Sequence, residues 1–427
     1  MNELKRVENV TIILLLIFLG FLSTQELPSI FSTQVVIGFY VLFILLLFIN
    51  KEKFDVQAKI VFLYRTKFSL NLMDKLSNNF RGLIRFMGVF GIIIAYIGFA
   101  VTTVFFVKQA YDIVINPQSA IQVSPIIPGV ELVGTGLTFP LVIGWISLFI
   151  IICVHEFSHG VVARAFNIPV KSSGFVFFGP IPGAFVEPDE KVLLKKKAYK
   201  QLAVFAAGPV SNIFLTAIMM LISLFVLVPI FNSFTYSEGI IITPMDDSSL
   251  PLYKAGIHEK TLLKAINGND TLDYASLDSM LNSLKPNEEA ILNIDGKDVE
   301  ITLAPHPDNA SKPYIGFNML RPKLSSFLPI GFSKISPKKN SFDQKFFFHL
   351  IIWLDELFFW IAFISINVGM FNLLPLFITD GARMLLLNFG EKKMIVWKVI
   401  NFVMLTLIFT IIFLPIIRNF IPGFFVF

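Results

Sequence analysis

The chain has 427 residues, of which 55% are hydrophobic and 15% charged, and 48 of them are Phe. An ordinary soluble domain has roughly 45–50% apolar and about 25% charged residues, so this composition excludes a disordered, coiled-coil or nucleic-acid-binding protein and predicts a polytopic membrane protein. The formal net charge of +5 is therefore interpreted as membrane topology, because positive loops orient spans.

Seven apolar runs are long enough to cross a bilayer by the criterion of roughly 20 residues. They cover residues 10–23, 33–49, 82–107, 137–166, 202–231, 347–377 and 394–418. The first run follows two basic residues, as in a signal peptide, but no small-x-small cleavage site ends it, so we expect a retained span. The predicted fold class is a polytopic α-helical membrane protein with about seven transmembrane helices.

Three clusters of Lys and Arg orient these spans. They lie in the 50–81 loop, in the 167–201 loop and at Lys392–Lys393, before the last span. Seven spans with a cytoplasmic N-terminus place all three clusters on the inside, as the positive-inside rule requires.

The fifth and sixth spans are separated by the only long polar stretch of the sequence, residues 235–345. Residues 290–294 and 299–303 alternate apolar and polar side chains, which predicts strands. Asn267-Gly268 and Asp295-Gly296 are typical of hairpin turns. About 100 residues suffice for one small α+β domain, and the topology places it outside the cytoplasm.

Histidine and cysteine are rare, so their positions carry weight. The single Cys, Cys153, excludes a disulfide framework and a cysteine-based zinc cluster. Two of the five His stand four residues apart, His155 and His159, at the end of the fourth span. Residues at this spacing share a helix face with Cβ atoms about 5–6 Å apart, so both imidazoles can bind one zinc ion.

Glu156 lies one residue along the helix and can accept a proton without being a ligand. An ionisable group at bilayer depth costs about 2.5–3.5 kcal/mol, so three such groups without a partner would be hard to insert.

Catalytic zinc needs a third protein ligand and an open position. Asp380, at the cytoplasmic end of the sixth span, is the carboxylate that the topology brings level with the two histidines. Pro375 and Gly381 break the helix there, and irregular backbone is tolerated beside a site buried in protein. An interfacial helix cap is the alternative role for Asp380.

Two further segments flank this predicted centre. Gly208-Pro209, early in the fifth span, predicts close packing or a kink. Asn212 can donate to a substrate carbonyl or oxyanion, and an interhelical hydrogen bond explains it equally well. Residues 174–187 are too short and too rich in Gly and Pro to span, which predicts an apolar hairpin whose edge strand could pair with an extended peptide.

The motifs resemble the site-2 protease family of intramembrane zinc metalloproteases, peptidase family M50. They are His155-Glu156-x-x-His159, Gly208-Pro209-x-x-Asn212 and Asn372-x-x-Pro375-x-x-x-x-Asp380-Gly381, in that order on three spans. The insert resembles a PDZ domain at residues 249–257 and 262–268. Two positions depart from these patterns, Thr379 in place of the usual Leu and Lys260-Thr261 in place of Gly-Asp.

The resemblance implies a zinc metalloendopeptidase that hydrolyses peptide bonds in or near transmembrane segments of membrane-bound substrates, in regulated intramembrane proteolysis. It implies Zn²⁺ held by His155, His159 and Asp380, with Glu156 as the general base, and Asn212 and Asn372 positioning the substrate. The expected partners are the bilayer and membrane proteins with a transmembrane helix, and no nucleic acid. The alternatives are an inactive PDZ-bearing membrane scaffold and a metal transporter.

The sequence thus predicts four regions. They are an N-terminal membrane segment of three spans and a cytoplasmic loop (1–134), a protease core (135–234), the PDZ-like domain (235–345) and a final pair of spans carrying Asp380 (346–427). We expect the N-terminus and the active-site end in the cytoplasm and the PDZ-like domain outside it, in the plasma membrane of a prokaryote.

Overall fold

The structure, a computed structural model, describes residues 2–23, 29–57, 61–66, 68–116, 126–132, 137–178, 181–307, 309–319, 326–328, 333–339, 341–389 and 393–420. The chain divides into two compact units. The first comprises residues 1–219 and 360–427, and the second comprises residues 220–359. The second unit therefore contains the whole of the predicted insert.

The helices of the chain are α1 (Asn2–Leu22), α2 (Ser29–Ile49), α3 (Phe68–Asn79), α4 (Arg81–Ile115), α5 (Leu141–Ala165), α6 (Glu190–Leu193), α7 (Ala198–Ile222), α8 (Val228–Phe234), α9 (Pro251–Lys254), α10 (Tyr274–Ser283), α11 (Phe342–Asn372), α12 (Asp380–Phe389) and α13 (Met394–Phe420). A π-helical segment, Ser223–Leu227, joins α7 to α8. The chain is therefore helical without a break from Ala198 to Phe234.

Five helices in the described part of the chain are long and apolar enough to cross a membrane. They are Arg81–Ile115, Leu141–Ala165, Ala198–Phe234, Phe342–Asn372 and Met394–Pro415. This confirms the prediction of a polytopic helical membrane protein. The apolar parts of α1 and α2 are shorter, Val10–Leu22 and Thr33–Ile49, so the count of seven spans stays a prediction.

Two predicted span limits are wrong. The fourth span was expected from residue 137, but Leu137–Thr138 pairs with Glu131–Leu132, and Pro140 directly precedes α5. The sixth span was expected to reach residue 377, but α11 ends at Asn372. Pro375 accounts for this end, because the residue before a proline is sterically excluded from the helical region.

The strands are β1 (Asp55–Gln57), β2 (Val61–Thr66), β3 (Glu131–Leu132), β4 (Leu137–Thr138), β5 (Val170–Phe178), β6 (Ile181–Pro188), β7 (Thr235–Pro244), β8 (Thr261–Ile266), β9 (Asn269–Asp270), β10 (Glu289–Ile294), β11 (Lys297–Thr302), β12 (Ala304–His306), β13 (Asn309–Tyr314), β14 (Phe317–Met319) and β15 (Ser333–Pro337).

The first unit holds a four-stranded antiparallel sheet in the order β1-β2-β5-β6. β5 and β6 form the hairpin predicted for residues 174–187, of which residues 179 and 180 lie outside the described chain. β5 also pairs with β2, from Val61 opposite Phe178 to Thr66 opposite Ser173. The 50–81 segment, expected only as a loop, therefore contributes two strands to this sheet.

Aromatic rings attach this sheet to two helices of the same unit. The ring of Phe43 on α2 lies 4.7 Å from that of Trp145 on α5 and 5.8 Å from that of Phe177 on β5, measured between centroids. Phe62 on β2 is 1% exposed and lies 5.4 Å from Phe48 on α2. Burial of several large aromatic side chains is the main stabilising contribution at this contact.

The second unit contains an antiparallel sheet in the order β11-β10-β8-β7-β14, with β15 also paired to β7 and β9 to β8. Both predicted turns are confirmed. Asn267 and Gly268 join β8 to β9, and Asp295 and Gly296 join β10 to β11. All four residues have positive φ, between 49° and 83°, as a two-residue type I′ hairpin turn requires.

Thr261, which with Lys260 replaces the Gly-Asp of the PDZ pattern, makes a specific contact in the structure. The hydroxyl of Thr261 donates to the carboxylate of Asp295, and the Leu262 amide donates to the same carboxylate at 3.3 Å. Thr261 thus ties the start of β8 to the turn that follows β10.

Helix α10 provides a test of local stability in the second unit. Asp273 caps it by accepting a hydrogen bond from the Ser276 amide at 2.7 Å, which with the Ser276 hydroxyl lowers the pKa of Asp273. Asp273→Ala should destabilise α10 by about 1 kcal/mol, measured as faster amide hydrogen exchange over residues 274–283. The effect should shrink as the pH falls through this lowered pKa, because the protonated cap is a weaker acceptor. Asp278→Ala, on the exposed side of the same helix, is the control and should exchange nearly as the wild type does.

Candidate metal centre and active site

Helix α5 places His155 and His159 one turn apart on a buried face. Their ring centroids lie 5.0 Å apart, and the side chains are 8% and 11% exposed. The Nε2 atoms of both rings lie 3.3 Å from Oδ2 of Asp380. The structure therefore brings together the three residues that the sequence predicts as ligands.

The turn between α11 and α12 carries Asp380 to the histidines. The hydroxyl of Thr379, the residue that departs from the family pattern, accepts from the Ala382 amide at 3.4 Å and donates to the carbonyl of Leu376 at 2.8 Å. A Cβ at position 381 would collide with the carbonyl of Leu373, so only Gly fits there. Asp380 then begins α12, where the positive end of the helix dipole favours a carboxylate.

The geometry of the three donors fits a shared metal ion. Two zinc ligands at about 2.0–2.2 Å, separated by a tetrahedral angle, lie about 3.3–3.6 Å apart. A direct charge-assisted hydrogen bond would be shorter, about 2.7–2.9 Å. The three ligand atoms lie within 4.8 Å of one another, and among the described residues no other group of three His, Cys, Asp or Glu side chains does so.

Gly208 of α7 leaves the space in front of these donors open. A Cβ at this position would lie 2.5 Å from Nε2 of His155 and still closer to Nε2 of His159. Any larger side chain would therefore occupy the volume that a metal ion shared by the two imidazoles needs. The absence of a side chain at position 208 thus supports the same assignment as the donor set.

Helix α7 also contacts the far side of both imidazoles. Nδ1–H of His159 donates to the carbonyl of Val204 at 2.6 Å. The amide nitrogen of Asn212 lies 3.1 Å from Nδ1 of His155, and Asn212 is fully buried. Pro209 has no N–H for the carbonyl one turn earlier, which bends a helix at such a point. The predicted substrate contact of Asn212 stays a prediction, because its described side-chain contact is with His155, a predicted ligand.

Glu156 is half-buried and faces the β5–β6 hairpin. Its Oε2 accepts a hydrogen bond from the backbone amide of Val186 at 3.2 Å. β6 is the last strand of the sheet among the described residues, so this amide lies at the edge of the sheet. In an antiparallel strand alternate residues direct their backbone groups to opposite sides, so Ala184 shares the outer edge with Val186.

Asn372, the other predicted substrate-binding residue, ends α11. Its side-chain amide donates to the carbonyl of Val368 one turn earlier at 3.1 Å. This contact ties the half-buried side chain to its own helix. The predicted contact with a substrate therefore stays a prediction.

Sequence reasoning missed three groups around the site. The Val204 carbonyl and the Val186 amide are backbone groups, which carry no sequence signal. Arg65 on β2 is the third, and it reaches Ser172 at 2.8 Å and Glu187 of β6 at 3.3 Å. Hydrogen bonding from Ser172, together with Arg65, lowers the pKa of Glu187. The run 61–66, rich in β-branched and aromatic residues, is the signal that would have predicted β2.

An apolar cavity of about 320 Å³ lies between α3, α4, α5 and α7 of the first unit. Its walls include Met87, Phe157, Val161, Val210 and Phe214. Phe157 and Val161 belong to α5, the helix that carries the two histidines. The cavity suits a hydrocarbon side chain or an acyl chain rather than a polar ligand.

A comparison with known families decides the relationship. The sequence profile of Peptidase family M50 matches residues 143–414, which include His155, Glu156, His159 and Asp380. This chain belongs to peptidase family M50. The resemblance to site-2 proteases is thereby confirmed, and membership in M50 together with the apolar helices indicates an integral membrane protein of a metallopeptidase family.

A relative of this M50 chain is an uncharacterized protein of Methanocaldococcus jannaschii. The two are 32% identical over 253 residues, which cover 58% of this chain and 57% of the relative. The alignment thus spans little more than half of the relative's length.

Gly208→Ala tests whether the space in front of the histidines holds a metal. The added methyl group would contact both Nε2 atoms, so we expect zinc content per purified chain to fall at least tenfold. Gly82→Ala, in the first turn of α4, is the matched control, because an added Cβ there meets nothing within 4 Å. Unchanged zinc content in Gly208→Ala would contradict this assignment of the metal position.

Proposed function

We propose that this M50 member is an intramembrane zinc metalloprotease of the site-2 type, which hydrolyses peptide bonds in or near transmembrane segments of membrane-bound proteins. The convergence of His155, His159 and Asp380 carries the proposal, because these donors meet in the geometry of a metal site. Glu156, half-buried beside them, supplies a carboxylate that none of the three ligand positions uses.

In the proposed reaction His155, His159 and Asp380 hold the zinc. When bound, zinc lowers the pKa of water toward about 7 and polarises the scissile carbonyl. Glu156 accepts the proton of the attacking water and transfers it to the leaving amine. The hydrogen bond from the Val186 amide orients the Glu156 carboxylate for this transfer.

The proposed substrate is a transmembrane helix that unwinds locally before attack. Its carbonyls are hydrogen-bonded within the helix, so each must lose a partner before hydrolysis. Pairing of the unwound segment with the outer edge of β6, at the backbone groups of Ala184 and the carbonyl of Val186, would replace some of these bonds. This edge adjoins Glu156, which supports β6 as the strand that presents the substrate to the general base.

Asn372 remains a candidate for contact with the substrate backbone. It is the last residue of α11 and lies seven residues before Thr379 in the sequence. The turn that contains Thr379 brings Asp380 to the site. A side-chain amide there can donate to one carbonyl and accept from one amide of an extended chain.

We further propose that the second unit contains a PDZ-like domain outside the cytoplasm, which docks or excludes the outer parts of substrates. Its antiparallel sheet, helix α10 and two type I′ turns support a PDZ-like fold. The clusters of Lys and Arg support a cytoplasmic N-terminus and active-site end, in a prokaryotic plasma membrane. The substrates would then be membrane-anchored proteins whose outer part has already been shortened, as in regulated intramembrane proteolysis.

Zinc content tests the ligand set. We expect one zinc per chain in detergent-purified wild type and in Glu156→Gln, because Glu156 is not a ligand. His155→Ala and Asp380→Ala should each lose most of the metal, since each removes one of three protein ligands. Full zinc content in Asp380→Ala would mean that another residue is the third ligand.

Proteolysis tests the role of Glu156. A panel of single-span membrane proteins would be reconstituted with the enzyme in liposomes, and the products identified by mass spectrometry. Glu156→Gln should cleave about 10²–10⁴-fold more slowly than wild type while it keeps its zinc, because the amide cannot accept the proton. Glu190→Gln, an exposed carboxylate on α6, is the control and should cleave at the wild-type rate. Wild-type cleavage by Glu156→Gln would refute the proposed mechanism.

A further inference from the structure

The two histidines of α5 are held by helix α7 in different ways. Each ring directs Nε2 toward Asp380 and Nδ1 toward α7. Nδ1 of His159 meets the backbone carbonyl of Val204, which can only accept a hydrogen bond. Nδ1 of His155 meets the side-chain amide of Asn212, which has a donor end and an acceptor end.

Metal binding by His155 determines which end of the Asn212 side-chain amide must face Nδ1 of His155. A histidine that binds a metal through Nε2 carries its proton on Nδ1, and this N–H requires an acceptor. Oδ1 of Asn212 is buried and has no hydrogen-bond partner in the described chain. Turning the amide by 180° about the Cβ–Cγ bond exchanges its two ends without moving any other atom. Oδ1 then occupies the place 3.1 Å from Nδ1 of His155.

We infer that Asn212 is a positioning residue for the metal ligand His155. In the zinc-loaded enzyme Oδ1 of Asn212 accepts the hydrogen bond from Nδ1–H of His155, which fixes the proton on Nδ1 and keeps Nε2 free and directed at the metal. Oδ1 of Asn212 and the Val204 carbonyl then each accept a hydrogen bond from Nδ1–H of one histidine. This inference rests on the proposed function, since it takes His155 to be a zinc ligand.

The surroundings of Asn212 support this role. Its backbone carbonyl accepts hydrogen bonds from Thr216 at 3.1 Å and from Ser365 of α11 at 3.0 Å. Gly369 of α11 allows close packing there, because a Cβ on it would lie 3.1 Å from Cβ of Asn212. These contacts fix the backbone of Asn212 while its amide lies on the side of the imidazole opposite Nε2. An amide in this position contacts the ligand and not the space where the reacting groups meet.

Release of zinc to a chelator tests the inference without a protease assay. The full-length protein would be loaded with zinc in detergent, and metal transfer to a chromogenic chelator followed over time. Asn212→Leu keeps a similar volume but has no acceptor, so zinc should leave about 10–100-fold faster than from wild type. Asn212→Asp keeps an acceptor oxygen and should release zinc at the wild-type rate or more slowly.

Thr102→Val is the matched control. It removes a buried side-chain hydrogen bond within α4, to the carbonyl of Gly98, and contacts neither histidine nor Asn212, so zinc release should stay at the wild-type rate. Wild-type release from Asn212→Leu would overturn the inference, and the same result with lost proteolysis would instead make Asn212 a substrate-contacting residue.

Two further results keep the test decisive. If Asn212→Leu does not yield monodisperse protein, Asn212→Asp decides alone, because faster release from this variant contradicts the need for an acceptor. Failure of the proposed function looks different, since the wild type would then bind no zinc at all.

Discussion

The candidate site depends on the mutual contact of ionisable groups on a helix that is apolar enough to cross a membrane. His155, Glu156 and His159 lie on an apolar helix, where each ionisable side chain costs several kcal/mol if it stands alone. The structure offsets this cost by convergence, since Asp380 contacts both imidazoles and the Val186 amide contacts Glu156. A cation among these groups would complete the balance of charge. The turn between α11 and α12 places Asp380 beside α5. The hydrogen bonds of Thr379 and the lack of a side chain at Gly381 allow the chain to form this turn.

Helix α7 orders the cluster of polar groups around the proposed metal position. Gly208 leaves the volume in front of the two Nε2 atoms open, and the Val204 carbonyl and the Asn212 amide contact the two Nδ1 atoms. These groups lie within nine residues of one helix, so a single rigid element sets both the space and the ring orientations. This explains in physical terms why a glycine, a proline and an asparagine occur together in an apolar span. Loss of an outer contact of this kind typically lowers metal affinity or activity about 10–100-fold.

The β5–β6 hairpin depends on a part of the chain that lies outside the residues matched by the family profile. β2 pairs with β5 from Ser173 to Phe178, and Arg65 contacts Ser172 and Glu187. One edge of the hairpin is thereby occupied, and the described sheet ends at β6, beside Glu156. The exposed Arg65–Glu187 pair contributes little energy by itself. The backbone ladder between β2 and β5 and the aromatic contacts to α2 and α5 are the stronger restraints.

Much of this protein could be predicted from local pattern. Long apolar runs predict membrane helices, and His155 and His159 at a spacing of four share a helix face. Asn-Gly and Asp-Gly pairs favour type I′ turns. All of these are properties of a few neighbouring residues. The limits of α5 and α11, the two strands before α3 and the roles of the Val204 carbonyl and Val186 amide could not be predicted in this way. They depend on strand pairing between segments about 110 residues apart and on backbone groups that every residue possesses. The sequence by itself determined which side chains can bind a metal, because ligand chemistry belongs to residue type. Only the tertiary structure decided which groups orient them, because a hydrogen bond to Nδ1 depends on where another helix places its backbone and its amide.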